Sequence, residues 1–145
     1  IASACFAMTI IVLTVADYGV AWDESVQGRY GELVLRYFTS GLTDRSFLEF
    51  WNLRFYGPAF EMIAALATRV SPQHDVVVRH ATIAFAGLLA VVGTGCFARV
   101  ALGARGALLT VLALASFPAF YGHAFVNSKD IPFTAGFVWS LLRTC

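Results

Sequence analysis

Long stretches of the sequence carry no charged side chain at all. Residues 81–98 have none between Arg79 and Arg99, and residues 1–16 have none before Asp17. A helix needs about 20 apolar residues to cross the hydrocarbon core of a bilayer. We therefore expect these stretches to form helices that lie in a membrane.

The composition agrees with a membrane protein. Only 13% of the 145 residues are charged and 59% are hydrophobic, with a mean hydropathy of +0.72. Soluble domains carry about 25% charged residues, so this chain has too few polar side chains to cover a water-exposed surface. The formal net charge of +1 gives no field that would attract nucleic acid. The predicted partner is the lipid bilayer, and no nucleic acid is expected.

The hydropathy pattern predicts an all-α fold, a polytopic transmembrane helical bundle in one membrane domain over residues 1–145. Arginines flank a tight turn at Gly103, and positive charge of this kind marks a cytoplasmic loop. The chain begins without methionine and stops inside an apolar segment, so we interpret it as a fragment with its end spans clipped. The predicted spans are residues 1–20, 79–98, 106–126 with a kink at Pro118, and a truncated span at 131–145.

Between the first two spans, residues 21–75 are predicted to form a non-cytoplasmic loop with interfacial helices. Residues 25–38 place Tyr30 and Leu33 on an apolar helix face and Gln27 on the opposite, polar face. This spacing is typical of an amphipathic helix at a membrane interface.

Two shorter helices are expected after Gly41, which is a natural C-cap. Residues 44–55 form the first, because Ser46 and Glu49 are spaced as a capping box. Residues 58–70 form the second, which is short for a membrane span. We expect this second helix to lie on the surface or to be re-entrant rather than to cross the membrane.

Asp23 and Glu24 follow the first predicted span. Carboxylates at the mouth of a membrane helix are costly to place and often functional. In an alternative interpretation, Asp23 only caps the next helix by accepting backbone N–H bonds, and Glu24 favours the positive helix end. The two interpretations are compatible, because a capping aspartate can also act as a base.

Lys129 and Asp130 form a second charged site, after the third predicted span. If residues 58–70 do not cross, this site lies on the same membrane face as Asp23. Lys129 could meet a phosphate as a point charge, or it could simply pair with Asp130 at a helix start.

The histidines add little to these two sites. His123 precedes Lys129 on the same helix, and a lone histidine is more often a hydrogen-bonded structural residue. His74 and His80 belong to no recognisable constellation. No pair of histidines has metal-ligand spacing, so we predict neither a metal site nor a cofactor, and leave a divalent cation open.

Several short motifs resemble the polytopic GT-C glycosyltransferases. Ala21-Trp22-Asp23-Glu24, followed by Tyr30-Gly31-Glu32, is similar to their acidic first-loop motif. Tyr56-Gly57-Pro58 and residues 123–133 resemble segments of the bacterial branch, which includes the family 39, protein-mannosyltransferase-like enzymes. The resemblance runs in order over nearly the whole chain. It departs from the family in length, since members continue through many more helices.

The resemblance implies a hexosyl- or pentosyltransferase that acts in protein glycosylation or in the cell envelope. The fragment alone would be inactive. It would move a sugar from a polyprenyl-phosphate donor to an acceptor lipid, glycan or protein. Such an enzyme is an integral, multi-pass protein, here of the bacterial inner membrane, with its site facing the periplasm or exterior. By position, Asp23 matches the acid regarded as the catalytic base, with Glu24 beside it. The residues that would bind the lipid phosphate are Lys129, His123, Arg29 and Asp130.

Two other functions fit the same residues. A transporter or channel would use the charges to line a permeation path, and both charged loops would then approach the bilayer midplane. A non-catalytic membrane subunit would use the charges only to cap helices and to bind partners.

Overall fold

The computed structural model describes residues 9–10 and 13–144, and every regular element in that part is helical. The predicted all-α class is therefore confirmed for the described residues. Short 3-10 turns occupy Val15–Asp17, Ser46–Leu48, Leu53–Tyr56 and Pro72–His74. The α-helices are α1 (Glu24–Thr39), α2 (Ala59–Thr68), α3 (Asp75–Ser116), α4 (Pro118–Val126) and α5 (Asp130–Thr144).

Helix α1 is the amphipathic helix predicted over residues 25–38. Its apolar face buries Tyr30 and Val34, whereas Arg29 on the opposite face is exposed. The helix is followed by Gly41, whose φ of 68° is a left-handed conformation that glycine adopts without strain.

Gln27 contradicts the predicted division of α1 into faces. The sequence pattern places it on the polar face, whereas only 4% of the residue is exposed in the structure. The reason is that α2 packs along this side of α1, so that Gln27 lies near Phe60 and Glu61. A second packed element widens the buried face beyond what the periodicity of one helix shows.

The segment between α1 and α2 is not the single helix predicted over residues 44–55. Two 3-10 turns take its place, and Trp51 between them has a positive φ of 52°. A bulky residue with positive φ is a rare conformation that interrupts a helix.

The capping box predicted for this segment is also wrong. Ser46 donates its backbone N–H to Asp44 Oδ1 at 3.1 Å, and no side-chain cap from Glu49 is formed. A local turn of this kind competes with helix formation. Hydrogen bonds from Ser46 lower the pKa of the Asp44 carboxyl below its usual 3.8.

Helices α1 and α2 touch backbone to backbone at Gly31. A Cβ atom at this position would overlap the backbone carbonyl of Glu61 and lie 3.2 Å from Ala65 Cβ. Only glycine therefore permits this approach. Next to this contact, a small apolar core is formed by Tyr30, Val34 and Leu53.

Helix α3 contains a sharp turn at Gly103. This residue has a φ of 71° and a ψ of −175°, so the chain reverses between residues 75–102 and 104–116. The reversal brings Gly95 against Val111, since a Cβ at Gly95 would lie 2.7 Å from Val111 Cγ2. The turn predicted at Gly103 is therefore present.

The predicted span 106–126 is two helices rather than one kinked helix. Helix α3 ends at Ser116, Phe117 has an extended backbone with φ −76° and ψ 111°, and α4 begins at Pro118. The residue before proline is disfavoured in the α conformation, which accounts for the complete break.

Helices α4 and α5 pack against the first arm of α3 and form the main apolar core. Ile83, Phe125 and Ile131 are at most 4% exposed. Trp139 Nε1 donates a hydrogen bond of 3.1 Å to the carbonyl of Leu89, which fixes α5 along α3. This packing holds the beginning of α5 close to the beginning of α3.

Within the described residues one helix, in the stretch Pro72–Ser116, is long and apolar enough to cross a membrane. Helix α2 has 10 residues, which at about 1.5 Å per residue is too short to span a bilayer. Residues 1–8 and 11–12 of the predicted first span lie outside the description, as does Cys145 at the end of the fourth. The polytopic arrangement stays a prediction.

Candidate functional site

A buried charged network lies where α1, α2, α3 and the start of α5 meet. Arg79 is at its centre: Nη2 donates to Glu61 Oε2 at 2.6 Å and to Ser128 Oγ at 3.3 Å. Its Nε lies 3.8 Å from Glu24 Oε1, and the side chains of Arg79 and both glutamates are 5–7% exposed. One guanidinium thus joins two helices to the residue that precedes Lys129.

Ser128 closes the network on the side of α2. Its Oγ donates to Glu61 Oε1 at 2.5 Å while it accepts a hydrogen bond from Arg79. Glu61 therefore receives one hydrogen bond on each carboxylate oxygen. A buried ion pair is tolerated when such additional hydrogen bonds satisfy its remaining lone pairs.

Glu24 is enclosed on several sides. Its Oε2 accepts the backbone N–H of Ala21 at 3.0 Å. His80 Nε2 lies 3.0 Å from Oε1 and 3.1 Å from Oε2, and its hydrogen bond is with Oε2. The sequence predicts Glu24 as a catalytic residue beside Asp23, and this role stays a prediction. The structure places its side chain inside the network, where it is 5% exposed.

His80 contradicts the prediction that it belongs to no constellation. Its side chain is 0% exposed and pairs with Glu24. Its ring therefore lies inside the network, beside two carboxylates and one guanidinium. In the part of the chain that the structure describes, no group of three or more His, Cys, Asp and Glu side chains is arranged to hold a metal ion.

Asp23 and Lys129 face each other at the outer edge of the network. Asp23 Oδ2 and Lys129 Nζ are 3.5 Å apart, and the two side chains are 29% and 31% exposed. Lys129 Nζ also lies 4.9 Å from the centre of the Tyr56 ring. Asp23 is the residue before α1 but makes no side-chain capping hydrogen bond. The interpretation of Asp23 as only an N-cap is therefore wrong.

Asp130 is not the partner of Lys129. Its Oδ2 accepts a hydrogen bond of 2.9 Å from Asn127 Nδ2. Asn127 Oδ1 in turn accepts the backbone N–H groups of Lys129 and Asp130, at 3.1 Å and 2.9 Å. Asn127 therefore caps the start of α5, and the Lys129 side chain pairs with Asp23 instead of Asp130.

The remaining predicted site residues make contacts elsewhere. Arg29 is exposed and pairs with Glu32 at 3.0 Å on the surface of α1. His123 is exposed, and its Nδ1 lies 3.4 Å from Asn127 Nδ2. None of the contacts described for Arg29 and His123 joins them to the network.

The described residues line a half-open cavity of about 250 Å³ next to Lys129. Glu61 and Ser128 of the network line it, as do Gln27 and Tyr30 of α1. Burial, and then the negative charge of Glu61, raise the pKa of Tyr30 above its usual 10.0, so its hydroxyl keeps its proton at neutral pH. The rest of the lining comes from Tyr56, Gly57, Phe60, Pro132 and Phe133.

Four residues of the network are absent from the site predicted by sequence: Glu61, Arg79, His80 and Ser128. One signal was present in the sequence, because Glu61 is the single charge within the apolar residues 58–68. A charge that cannot reach water requires a partner of opposite charge. Arg79, which directly precedes the uncharged residues 80–98, is a cation that could pair with it.

No protein-family model, curated protein or solved structure matches this chain. The resemblance to GT-C glycosyltransferases therefore rests on the short motifs alone.

Proposed function

We propose that this chain belongs to a membrane glycosyltransferase of the GT-C type. It would transfer a hexose or pentose from a polyprenyl-phosphate donor to an acceptor at the non-cytoplasmic membrane face. The observation that carries the proposal is the 3.5 Å separation of Asp23 Oδ2 and Lys129 Nζ, which come from distant loops. One supplies a base and the other a cation, which is the minimum that this reaction requires.

In the proposed reaction, an acceptor hydroxyl attacks the anomeric carbon of the donor sugar. Asp23 takes the hydroxyl proton as the new C–O bond forms. The bond between the anomeric carbon and the phosphate oxygen breaks, and its electron pair leaves with the polyprenyl phosphate. Lys129 stabilises the charge on that phosphate. A single displacement of this kind inverts the anomeric configuration, and no carboxylic acid is needed to protonate the leaving group, unlike in glycosidases.

Arg79 and Glu24 serve this reaction as positioning residues. Glu24 directly follows Asp23, and Ser128 directly precedes Lys129. Arg79 contacts both neighbours, at 3.8 Å and 3.3 Å. Because a misplacement of about 1 Å can lower a rate about a hundredfold, a shared guanidinium that fixes both loops supports the proposed roles.

The position of the network along α3 favours a transferase over a transport path. Helix α3 begins at Asp75, so Arg79 and His80 lie near one end of the long apolar helix. A permeation path would require charges near the bilayer midplane. The multi-pass arrangement in a bacterial inner membrane, with the site facing the periplasm or exterior, is part of this proposal.

Transfer assays on the intact gene product in nanodiscs test the proposal. The donors are polyprenyl phosphates that carry a radiolabelled hexose or pentose. Asp23→Asn is expected to lower kcat by about 10² to 10⁴-fold, the usual contribution of a general base. The matched control is Asp17→Asn, since Asp17 is exposed and lies outside the network.

Each competing function predicts a different result in the same preparations. Wild-type transfer by Asp23→Asn would overturn the base assignment. Ion or solute flux through reconstituted liposomes that depends on Lys129, with no transfer, would favour a transporter. Unchanged binding of the lipid carrier by Lys129→Met would favour a non-catalytic subunit.

A further inference from the structure

Two buried polar side chains on one face of α1 border the cavity beside Lys129. Gln27 and Tyr30 are 4% and 1% exposed, and both line the cavity. They are three positions apart, which places them side by side on a helix.

Neither side chain has its hydrogen bonds satisfied within the described part of the protein. The Tyr30 hydroxyl is buried without a hydrogen-bond partner. The Gln27 amide makes no hydrogen bond to any residue that the structure describes. Buried polar groups are almost always hydrogen-bonded, so each exception calls for an explanation. The buried, unpartnered Tyr30 hydroxyl, with the unbonded Gln27 amide beside it, indicates a polar ligand at this cavity.

The rest of the lining specifies the chemistry of that ligand. Tyr56, Phe60 and Phe133 contribute aromatic rings, which suit the apolar faces of a sugar ring. Glu61 lines the cavity but is already engaged by Arg79 and Ser128. No lining carboxylate in the described residues is therefore left to attract a cation. The lining cation Lys129 is the group proposed to meet the donor phosphate, so a ring without a charge of its own fits this lining.

The cavity has room for one sugar ring. The volume of about 250 Å³ lies below the ~300–1,000 Å³ that is typical of sites for drug-sized molecules. Lys129 borders the same cavity and is the only cation in its described lining. A phosphate joined to the ring would therefore be directed toward Lys129.

We infer that this cavity binds the sugar ring of the donor, a single neutral hexose or pentose, through hydrogen bonds from Gln27 and Tyr30. The identity of the sugar as a phosphate-linked donor rests on the proposed function. The binding of a neutral sugar ring does not, and it can be measured without transfer.

Saturation-transfer NMR on the intact gene product in nanodiscs tests the inference. The probes are methyl glycosides of neutral hexoses and pentoses, with methyl glucuronide and methyl glucosaminide as charged comparisons and empty nanodiscs as a blank. At least one neutral glycoside is expected to bind, more tightly than either charged one. Tyr30→Phe and Gln27→Leu are each expected to weaken it by about threefold to tenfold, the effect of one lost hydrogen bond.

The Tyr30→Phe variant separates ligand binding from stability. It removes a hydroxyl that has no described partner, so its thermal unfolding midpoint should not fall below that of the wild type. Tyr37→Phe is the matched control, because Tyr37 lies further along α1 and packs on Phe38 and Phe47 away from the cavity. It should change neither binding nor the midpoint.

The inference is overturned if no neutral glycoside binds, or if Tyr30→Phe and Gln27→Leu bind like the wild type. The first result would mean that water alone occupies the cavity, which is roomy and polar enough for it. Asp23→Asn is expected to bind the glycoside normally. Transfer assays of Asp23→Asn therefore test the proposed base, because this variant should lose transfer and keep glycoside binding. Glycoside binding by Tyr30→Phe and Gln27→Leu tests the cavity, and it is measured without any transfer reaction.

Discussion

Ser128 donates a hydrogen bond of 2.5 Å to Glu61, and this bond ties the residue before Lys129 to helix α2. Glu61 is in turn bound to Arg79 at 2.6 Å. The position of Lys129 therefore depends on the buried charged network. Substitutions in the network and substitutions of Asp23 or Lys129 should have different effects on stability and on transfer.

Arg79→Met tests how much the buried network contributes to stability. The substitution leaves Glu24 and Glu61 as buried carboxylates without their guanidinium, and we expect it to lower the free energy of unfolding by about 3–5 kcal/mol. The measurement is denaturant or thermal unfolding of the protein in detergent. Arg69→Met is the control, because Arg69 is exposed and should change stability by only about 0.5 kcal/mol. Equal stability of the two variants would contradict a structural role for the network.

Gly31→Ala tests the contact between α1 and α2. Its Cβ would overlap the Glu61 carbonyl, so we expect a loss of about 1–3 kcal/mol in unfolding free energy. Gly28→Ala, on the same helix, meets no atom within 4 Å. It should be neutral or stabilising by up to about 1 kcal/mol, since alanine is the better helix former. A similar effect of both changes would mean that the helices do not touch there.

Lys129→Met tests whether the exposed ion pair is structural or functional. The pair with Asp23 is partly exposed, at 29% and 31%, and such pairs contribute about 0–1 kcal/mol. We expect unfolding free energy to change within that range while sugar transfer falls. If Lys129→Met destabilises the protein as much as Arg79→Met does, the lysine is a structural residue.

Acidification tests the Asp44 turn. Because Ser46 lowers the pKa of Asp44 in the folded protein, the ionised carboxyl stabilises the fold above its usual pKa of 3.8. That contribution is lost as the pH falls through the folded value. We expect Asp44→Asn to be less stable than the wild type near neutral pH and equally stable in strong acid. A difference that does not vary with pH, in unfolding midpoints measured across this range, would contradict the assignment.

Local features of this fold were predictable because they depend on neighbouring residues. The apolar spacing of Tyr30 and Leu33 defines α1, and Gly103 between two arginines defines the turn in α3. The predicted topology also places Asp23 and Lys129 on one membrane face, which stays a prediction, and in the structure the two side chains lie 3.5 Å apart.

The partners within the network were not predictable, because they join residues far apart in the chain. Glu24 and His80 are 56 positions apart, and Glu61 and Ser128 are 67 positions apart. The spacing of residues on one helix shows which face is apolar, but not which element will cover it. Gln27 illustrates the limit, since its polar face became a buried one when α2 packed beside it.

The contact of Gly31 with the Glu61 carbonyl fixes the dimensions of the cavity, whereas the side chains that line it determine its chemistry. Two backbones in direct contact set the distance between the walls on α1 and α2, whatever side chains stand above them. For the sugar site that we infer, substitutions at Gln27 and Tyr30 would then alter which hydroxyl groups are recognised while the size of the accepted ring stays constant. We expect proteins that keep this contact to differ in the stereochemistry of the bound sugar and to share its ring size.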